Sequence, residues 1–435
     1  MDMQYKWGKY FFLAALLFVV FSTAIPVVAQ VKSSDTLRLT ISQAEDIFLK
    51  QNLSLLANHY SVDINKALLT QAKLWDNPLL VTDQNIYDGK FFRHSKENGQ
   101  QYGQIYMQIQ QIIRTAGKIK KLSQLAKDNV LGAEAQFSDL MRNLKFILAT
   151  DMNNLAQLQS IAQVYETEIP NMESLSKGMD EMLNQGDVSK KENLRIKALL
   201  FSLQNEYNEN LRQQYDVQKE LSGLLRLNES TWIIADADKP VAGEELNKWQ
   251  LAALQDSAFQ WRPDLQSARI QQTYQQHNIS YQKALAKPDL VIGPEFDKLN
   301  SYVPNYVGLT ISLPIPVFNR NKGNIEAADL SYKQSVVLTQ QLADQVALDI
   351  TNAWKKLIAA NRLLDHDNTQ LRENYDTLLQ NMIGSYRQRQ VGLVEFIDFF
   401  DAYKETRIKQ GQLVAVQRNA AAELNYAIGK NIVSL

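Results

Sequence analysis

The chain has 435 residues, with 46 Lys and Arg set against 47 Asp and Glu and no cysteine. Without cysteine there are no disulfides, no thiolate metal sites and no lipid-accepting N-terminal thiol. A formal net charge of −1, with no basic stripe interleaved with aromatics, argues against a nucleic-acid-binding surface.

At the N-terminus, Lys6 and Lys9 precede an apolar run over 10–21, and Val27-Val-Ala29 places small residues at signal-peptidase spacing. Residues 1–29 are therefore expected to be a signal peptide, since the run is too short to span a bilayer, and the mature chain is expected to be exported. An extended lead-in occupies 31–39. Helical sequence then gives way to a β-hairpin over about 79–112. Its strands cover 79–88 and 104–109, joined by a polar loop with Asp88-Gly89 and Asn98-Gly99. In the second strand Ile105, Met107 and Ile109 share one face, and Gln104, Tyr106 and Gln108 share the other. A very long helix follows, with Leu144, Leu148, Leu155, Leu158, Ala162, Tyr165, Ile169 and Met172 at seam spacing. Pro170 inside it removes a backbone donor and predicts a kink or break. Gly186-Asp187-Val188-Ser189 turns the chain into another helix, and 228–246, with Asp236, Asp238, Pro240 and Gly243, reads as a connector with little regular structure.

The second half then says the same thing again. Residues 52–76 align at one fixed offset with 262–286, and 185–227 with 388–430, pairing Val188 with Val391, Glu192 with Glu395 and Leu221 with Leu424. The chain is thus expected to be mainly α with a small β part, built as two tandem repeats of helix, β-hairpin, long helix and helix. They cover 30–227 and 247–435. The second hairpin, about 289–316, contains the cleanest alternation: Val307, Leu309, Ile311 and Leu313 against Tyr306, Gly308, Thr310 and Ser312. No proline interrupts 323–388, where Ile350, Leu357, Leu364, Leu371 and Leu378 recur every seven residues. The pattern predicts one helix of about 65 residues, about 100 Å long at 1.5 Å per residue.

Alternation alone fits a half-buried soluble sheet as well as a membrane wall. Export and the surrounding helices favour the wall. Ile105, Met107, Ile109, Val307, Leu309 and Ile311 are then the lipid-facing residues. Four strands cannot close a barrel, because open edges in lipid leave unpaired backbone groups, so several chains must share one.

Leu39-Thr-Ile-Ser-Gln-Ala44, Gln110-Gln-Ile-Ile-Arg-Thr-Ala-Gly117 with Lys118, Leu313-Pro-Ile-Pro-Val-Phe318 with Gly323, and above all Val391-Gly-Leu-Val-Glu-Phe-Ile-Asp-Phe-Phe-Asp-Ala402 resemble the TolC-type outer-membrane efflux protein family. The resemblance covers essentially the whole mature chain. It implies a homotrimer with a twelve-stranded outer-membrane β-barrel, four strands per protomer, continuous with an α-helical periplasmic barrel. It also implies a periplasmic adaptor and an inner-membrane pump, of the resistance-nodulation-division type, as partners.

Asp398 and Asp401, three apart, share one helical face just past Gly392. Spacing alone fits acids that favour a helix start and face water. The resemblance makes them two rings of negative charge at the periplasmic entrance, which would attract cations. Val391, Gly392 and Leu393 are an ordinary helix-to-helix turn in their own right, and resemble the tip that adaptors touch. Gly186 and Val188 form the matching turn of the first repeat, which departs from the Val-Gly pattern. Arg195 and Ala198 replace the acids there.

His59, His94, His277 and His366 lie far apart without metal-ligand spacing, and no phosphate loop or nucleophile elbow is present. No cofactor, metal or catalytic site is expected. Phe91, Phe92, Tyr302 and Tyr306 are expected to mark a membrane interface, and Trp75 and Trp354 to pack between helices. The expected function is a passive outer-membrane exit duct for solutes expelled by a pump. Two alternatives stay open: a channel for type I protein secretion, and a non-transport periplasmic coiled-coil scaffold or adaptor.

Overall fold

A computed structural model describes residues 35–236, 240–241, 249–365 and 369–434, with the backbone alone for 365 and 369–376. The expected signal peptide lies outside these residues. Strand β1 (Asp35–Leu39) leads into helix α1 (Ile41–Gln51). Thr40 starts that helix with a capping box: Gln43 N–H donates to Thr40 Oγ1 at 3.2 Å, and Thr40 N–H donates to Gln43 Oε1 at 3.0 Å. The Thr-x-x-Gln opening is therefore a helix start signal, and it aims Ile41, Ala44 and Phe48 into the core.

Helix α2 (Leu53–Ala72) feeds strand β2 (Leu79–Gln84). A small hairpin of β3 (Lys96–Glu97) and β4 (Gln100–Gln101) turns through Asn98 and Gly99, both at positive φ, before β5 (Ile105–Ile113). Helix α3 (Lys118–Asn184) runs 67 residues, and α4 (Lys190–Leu225) returns beside it. Strand β6 (Thr231–Ala235), α5 (Leu251–Trp261) and α6 (Pro263–Leu285) lead to β7 (Leu290–Asp297) and β8 (Tyr306–Ser312). Helices α7 (Lys322–Asp365), α8 (Thr369–Arg387) and α9 (Leu393–Ile428) complete the described chain.

The four longer strands form one antiparallel sheet in the order β2-β5-β7-β8, so β2 and β8 are its edges. Next to it the helices lie side by side as α2-α3-α6-α7; farther along, α4, α3, α9 and α8 form a second layer. Apolar residues cluster at successive levels along this rod. One cluster joins β1, α1, α3 and α4; another joins α5, α7 and α9; a third, around Met172, Leu175, Ile196, Leu203, Ile383, Phe396 and Phe400, fills the far end.

Charged pairs fix the passage from helix to strand. Arg114 grips Asp76 with Nε at 2.7 Å and Nη2 at 2.8 Å, while buried Lys118 donates to Asp289 Oδ1 and to the Lys287 carbonyl, both at 2.7 Å. Ala116 and Gly117 between them take positive φ, which bends the strand sharply into α3.

Four expectations need correction. Strand β2 stops at Gln84 rather than 88, because Ile86 and Phe92 join in the loop instead. Of the kink or break expected at Pro170, the break does not occur, because helix α3 continues through it and packing of its neighbours outweighs one lost donor. The connector is partly regular: the β-branched and aromatic Thr231-Trp-Ile-Ile run pairs in parallel with β1. Gln218 clamps both backbone groups of Ile233, donating at 2.6 Å and accepting at 3.0 Å. Finally, the heptad seam predicted over 323–388, a stretch described as α7 and α8 with 366–368 outside the described residues, does not hold throughout. Ile350 and Leu357 are buried as expected, but Leu378 is exposed and Leu379 buried. Within α8 the buried position is Leu379, one residue past the heptad position.

Candidate pore wall and entrance

Strand register sorts the sheet into two unlike faces. Met107, Phe296 and Val307 form one row across β5, β7 and β8, and Leu309 stands opposite Pro294 and Ile311 opposite Ile292 on the same face. Met107, Ile109, Val307, Leu309 and Ile311 are exposed, Val307 to 76 %, and Ile105 is half-buried. The predicted lipid-facing residues therefore share one apolar surface. The other face carries Asp83, Tyr106 and Asp297 in one row, and Gln108, Glu295 and Gly308 in the next. Glu295 is its hub: Tyr106 OH and Gln108 Nε2 donate to Oε2 at 3.1 Å, and Thr310 Oγ1 at 2.8 Å.

The edges coincide in strand and helix layers. Edge strand β2 follows outer helix α2, which exposes Leu53, Leu56, Tyr60, Ile64 and Leu68 along its length. Edge strand β8 precedes outer helix α7, which exposes Leu330, Val337 and Leu348. At the junctions, Leu74, Trp75 and Leu79 are bare on one side, and Leu313, Ile315 and Phe318 on the other. Trp75 thus lies at an edge rather than between helices, whereas Trp354 packs against the α5–α7–α9 cluster. Phe91, Phe92 and Tyr302 are exposed on hairpin loops, but Tyr306 belongs to the polar face.

At the far end two turns lie together. In the first, Gly186 (φ 78°) lets Asp187 N–H reach back to the Met182 carbonyl at 2.8 Å, and Ser189 with Glu192 forms a capping box that starts α4. The Ser189 backbone N–H, then its hydroxyl, hold the Glu192 carboxyl below its ordinary range. In the second turn the left-handed residue is Arg389, whereas Gly392 has ordinary extended backbone and stands as N-cap of α9. The glycine therefore starts the second helix of the expected turn.

Val188 and Leu393 are half-buried against the tip cluster, Val391 is half-buried, and Gly186 and Gly392 are exposed. Phe396, Phe400 and Tyr403 anchor α9, leaving Asp398 exposed and the Asp401 side chain half-exposed, 4.0 Å from Lys404 Nζ. Sequence reasoning missed the links between the two helix pairs. Arg389 Nη2 donates to the Asp187 carbonyl and lies 3.6 Å from its carboxylate; Lys404 Nζ donates to Glu206 at 2.9 Å; Tyr403 OH donates to buried Glu168 at 3.4 Å. No helix among the described residues is long and apolar enough to cross a membrane, and no group of three or more His, Asp or Glu there could hold a metal ion.

No protein-family model matches the chain. It is similar to the probable outer membrane lipoprotein SilC of Salmonella typhimurium, 21% identical over 296 residues, which is 65% of this chain and 62% of SilC. The chain therefore spans somewhat less than two thirds of that relative. Solved structures match far more completely. The outer membrane protein VceC from Vibrio cholerae superposes with a TM-score of 0.69 at 14% identity, covering 90% of this chain and 96% of VceC. The CmeC outer membrane channel of Campylobacter jejuni gives 0.70 at 15% identity, over 90% and 86%. CusC, studied for its transmembrane channel formation, gives 0.68 at 17% identity, over 90% and 92%. The chain carries the fold of these outer-membrane and channel-forming proteins, as its motifs led one to expect.

Proposed function

We propose that this chain is the outer-membrane exit duct of a tripartite efflux system, a passive channel completed by three copies. The carrying observation is the coincidence of open edges: β2 with α2 on one side of the chain, β8 with α7 on the other, each lined by bare apolar residues. Joining β8 of one copy to β2 of the next continues the antiparallel alternation, and three copies of four strands give a closed twelve-stranded barrel. Closure removes the unpaired edges that lipid would not tolerate. The apolar face turns to lipid and the Glu295 face to the lumen, with the two repeats, 30–227 and 247–435, each supplying one hairpin.

Below the barrel the helices line a periplasmic tunnel. Asp398 and Asp401 ring its entrance and favour cations. The turns holding Gly186, Val188, Val391, Gly392 and Leu393 meet a periplasmic adaptor, which connects to an inner-membrane pump of the resistance-nodulation-division type. Opening separates the two helix pairs at the Arg389–Asp187 contact, driven by a partner that binds the open state better. A periplasmic scaffold is the weaker reading, because it would leave the apolar sheet face in water. Protein secretion would use the same wall. The test is planar-bilayer recording of the purified chain: stepwise conductance supports the duct, and a chain that never conducts contradicts it.

A further inference from the structure

On the polar face of the sheet two long side chains lie along the wall, each over a glycine. Gln108 is tied to Glu295 and covers Gly293, where an added Cβ would lie 3.1 Å from Gln108 Nε2 and 3.2 Å from the Ile109 carbonyl oxygen. Tyr106 is tied to the same carboxylate. Tyr306 has no such tether among the hydrogen bonds described, yet it also lies down. Residues 306 and 308 share a face of β8, and the phenol ring leans along the strand over Gly308. A Cβ there would overlap Tyr306 Cε1 and lie 2.6 Å from its hydroxyl oxygen and 2.7 Å from Cζ. Gly308 shows no positive φ, so backbone freedom is not what demands glycine. The space above its Cα is what the ring uses.

We propose that Gly308 sets the bore of the strand-lined pore, as the seat on which Tyr306 lies flat against the wall. Even one methyl group on that seat expels the ring. The sheet lies on one side, so the displaced phenol swings away from it, into the lumen, and does so three times around a threefold pore. Gly308 is thus a positioning residue that acts through Tyr306 on the size of solute that passes. The inference rests on the reading of this sheet as a pore wall.

Single-channel conductance and exclusion of graded polyethylene glycols measure the bore, with Gly308→Ala, Tyr306→Ala and the double variant compared in assembled channels. Gly308→Ala should lower conductance and exclude smaller polymers than the unaltered channel. Tyr306→Ala should change both little, because the ring already lies flat, and the double variant should match Tyr306→Ala. Unaltered conductance and cut-off in Gly308→Ala would overturn the inference. So would a double variant as narrow as Gly308→Ala, which would place the obstruction elsewhere. A marked widening in Tyr306→Ala alone would overturn it too, since the ring would then already protrude. If the unaltered chain forms no channel, the pore-wall reading fails and takes this inference with it, an outcome distinct from all the others.

Discussion

Asp151 sits on α3 within the level that joins α3 to α4, 9 % exposed, with Oδ2 buried and lacking a hydrogen-bond partner. Burial first, and the nearby Glu220 charge second, push its carboxyl from the ordinary 3.8 up to about 6. Because the folded value lies above the unfolded one, the native chain takes up the proton first as pH falls. The charged form is thus a liability above about pH 6, which fades between about 6 and 4 and is absent below. At 1.36 kcal/mol per pH unit the penalty is at most about 3 kcal/mol, and solvent relaxation reduces it to about 1–3 kcal/mol. Asp151→Asn keeps the shape and removes the charge. In denaturant titrations of the detergent-solubilised protein, it should be more stable than the unaltered chain by about 1–3 kcal/mol near pH 7.5, with the gain vanishing near pH 4. An equal gain at both pH values, or destabilisation near pH 7.5, would refute the argument that an unpaired buried charge is responsible.

Three further outcomes are expected. Arg389→Ala removes a contact whose side chains are both 52% exposed, so stability should change by no more than about 1 kcal/mol, while bilayer recordings should show larger or more frequent openings. Asp398→Ala combined with Asp401→Ala should weaken cation preference and block by multivalent cations, and unaltered conductance and block would remove both from the entrance. Phe318, fully exposed in the single chain, should be covered by the next copy. Phe318→Asp should therefore lower the particle mass seen by light scattering without loss of helical circular dichroism.

What sequence made legible was what obeys a short period. The Tyr306 to Ser312 alternation sorted its residues onto the two faces of the sheet, one apolar and one polar, because a strand repeats at period two. The capping boxes of Thr40 with Gln43 and of Ser189 with Glu192 are local signals as well, both partners lying within one turn, and went unread in the sequence. Error grew with distance along the chain. The heptad reading held at Ile350 and Leu357 in α7 and failed at Leu378 in α8, where Leu379 is buried instead. The turn at Val391, Gly392 and Leu393 is present, but its left-handed position falls on Arg389, which no residue preference points to. Hidden altogether were contacts between distant residues: Arg389 with Asp187, Lys404 with Glu206, and the convergence on Glu295. No local pattern announces such partners, because only the packing of the two halves brings them together.

The central claim is that one chain is an arc and three make the tube. Native mass spectrometry of the processed protein released from detergent micelles tests it most directly. The account predicts a particle of three chains that dissociates only as its edge contacts fail. A stable single chain that stays in water without detergent would contradict it.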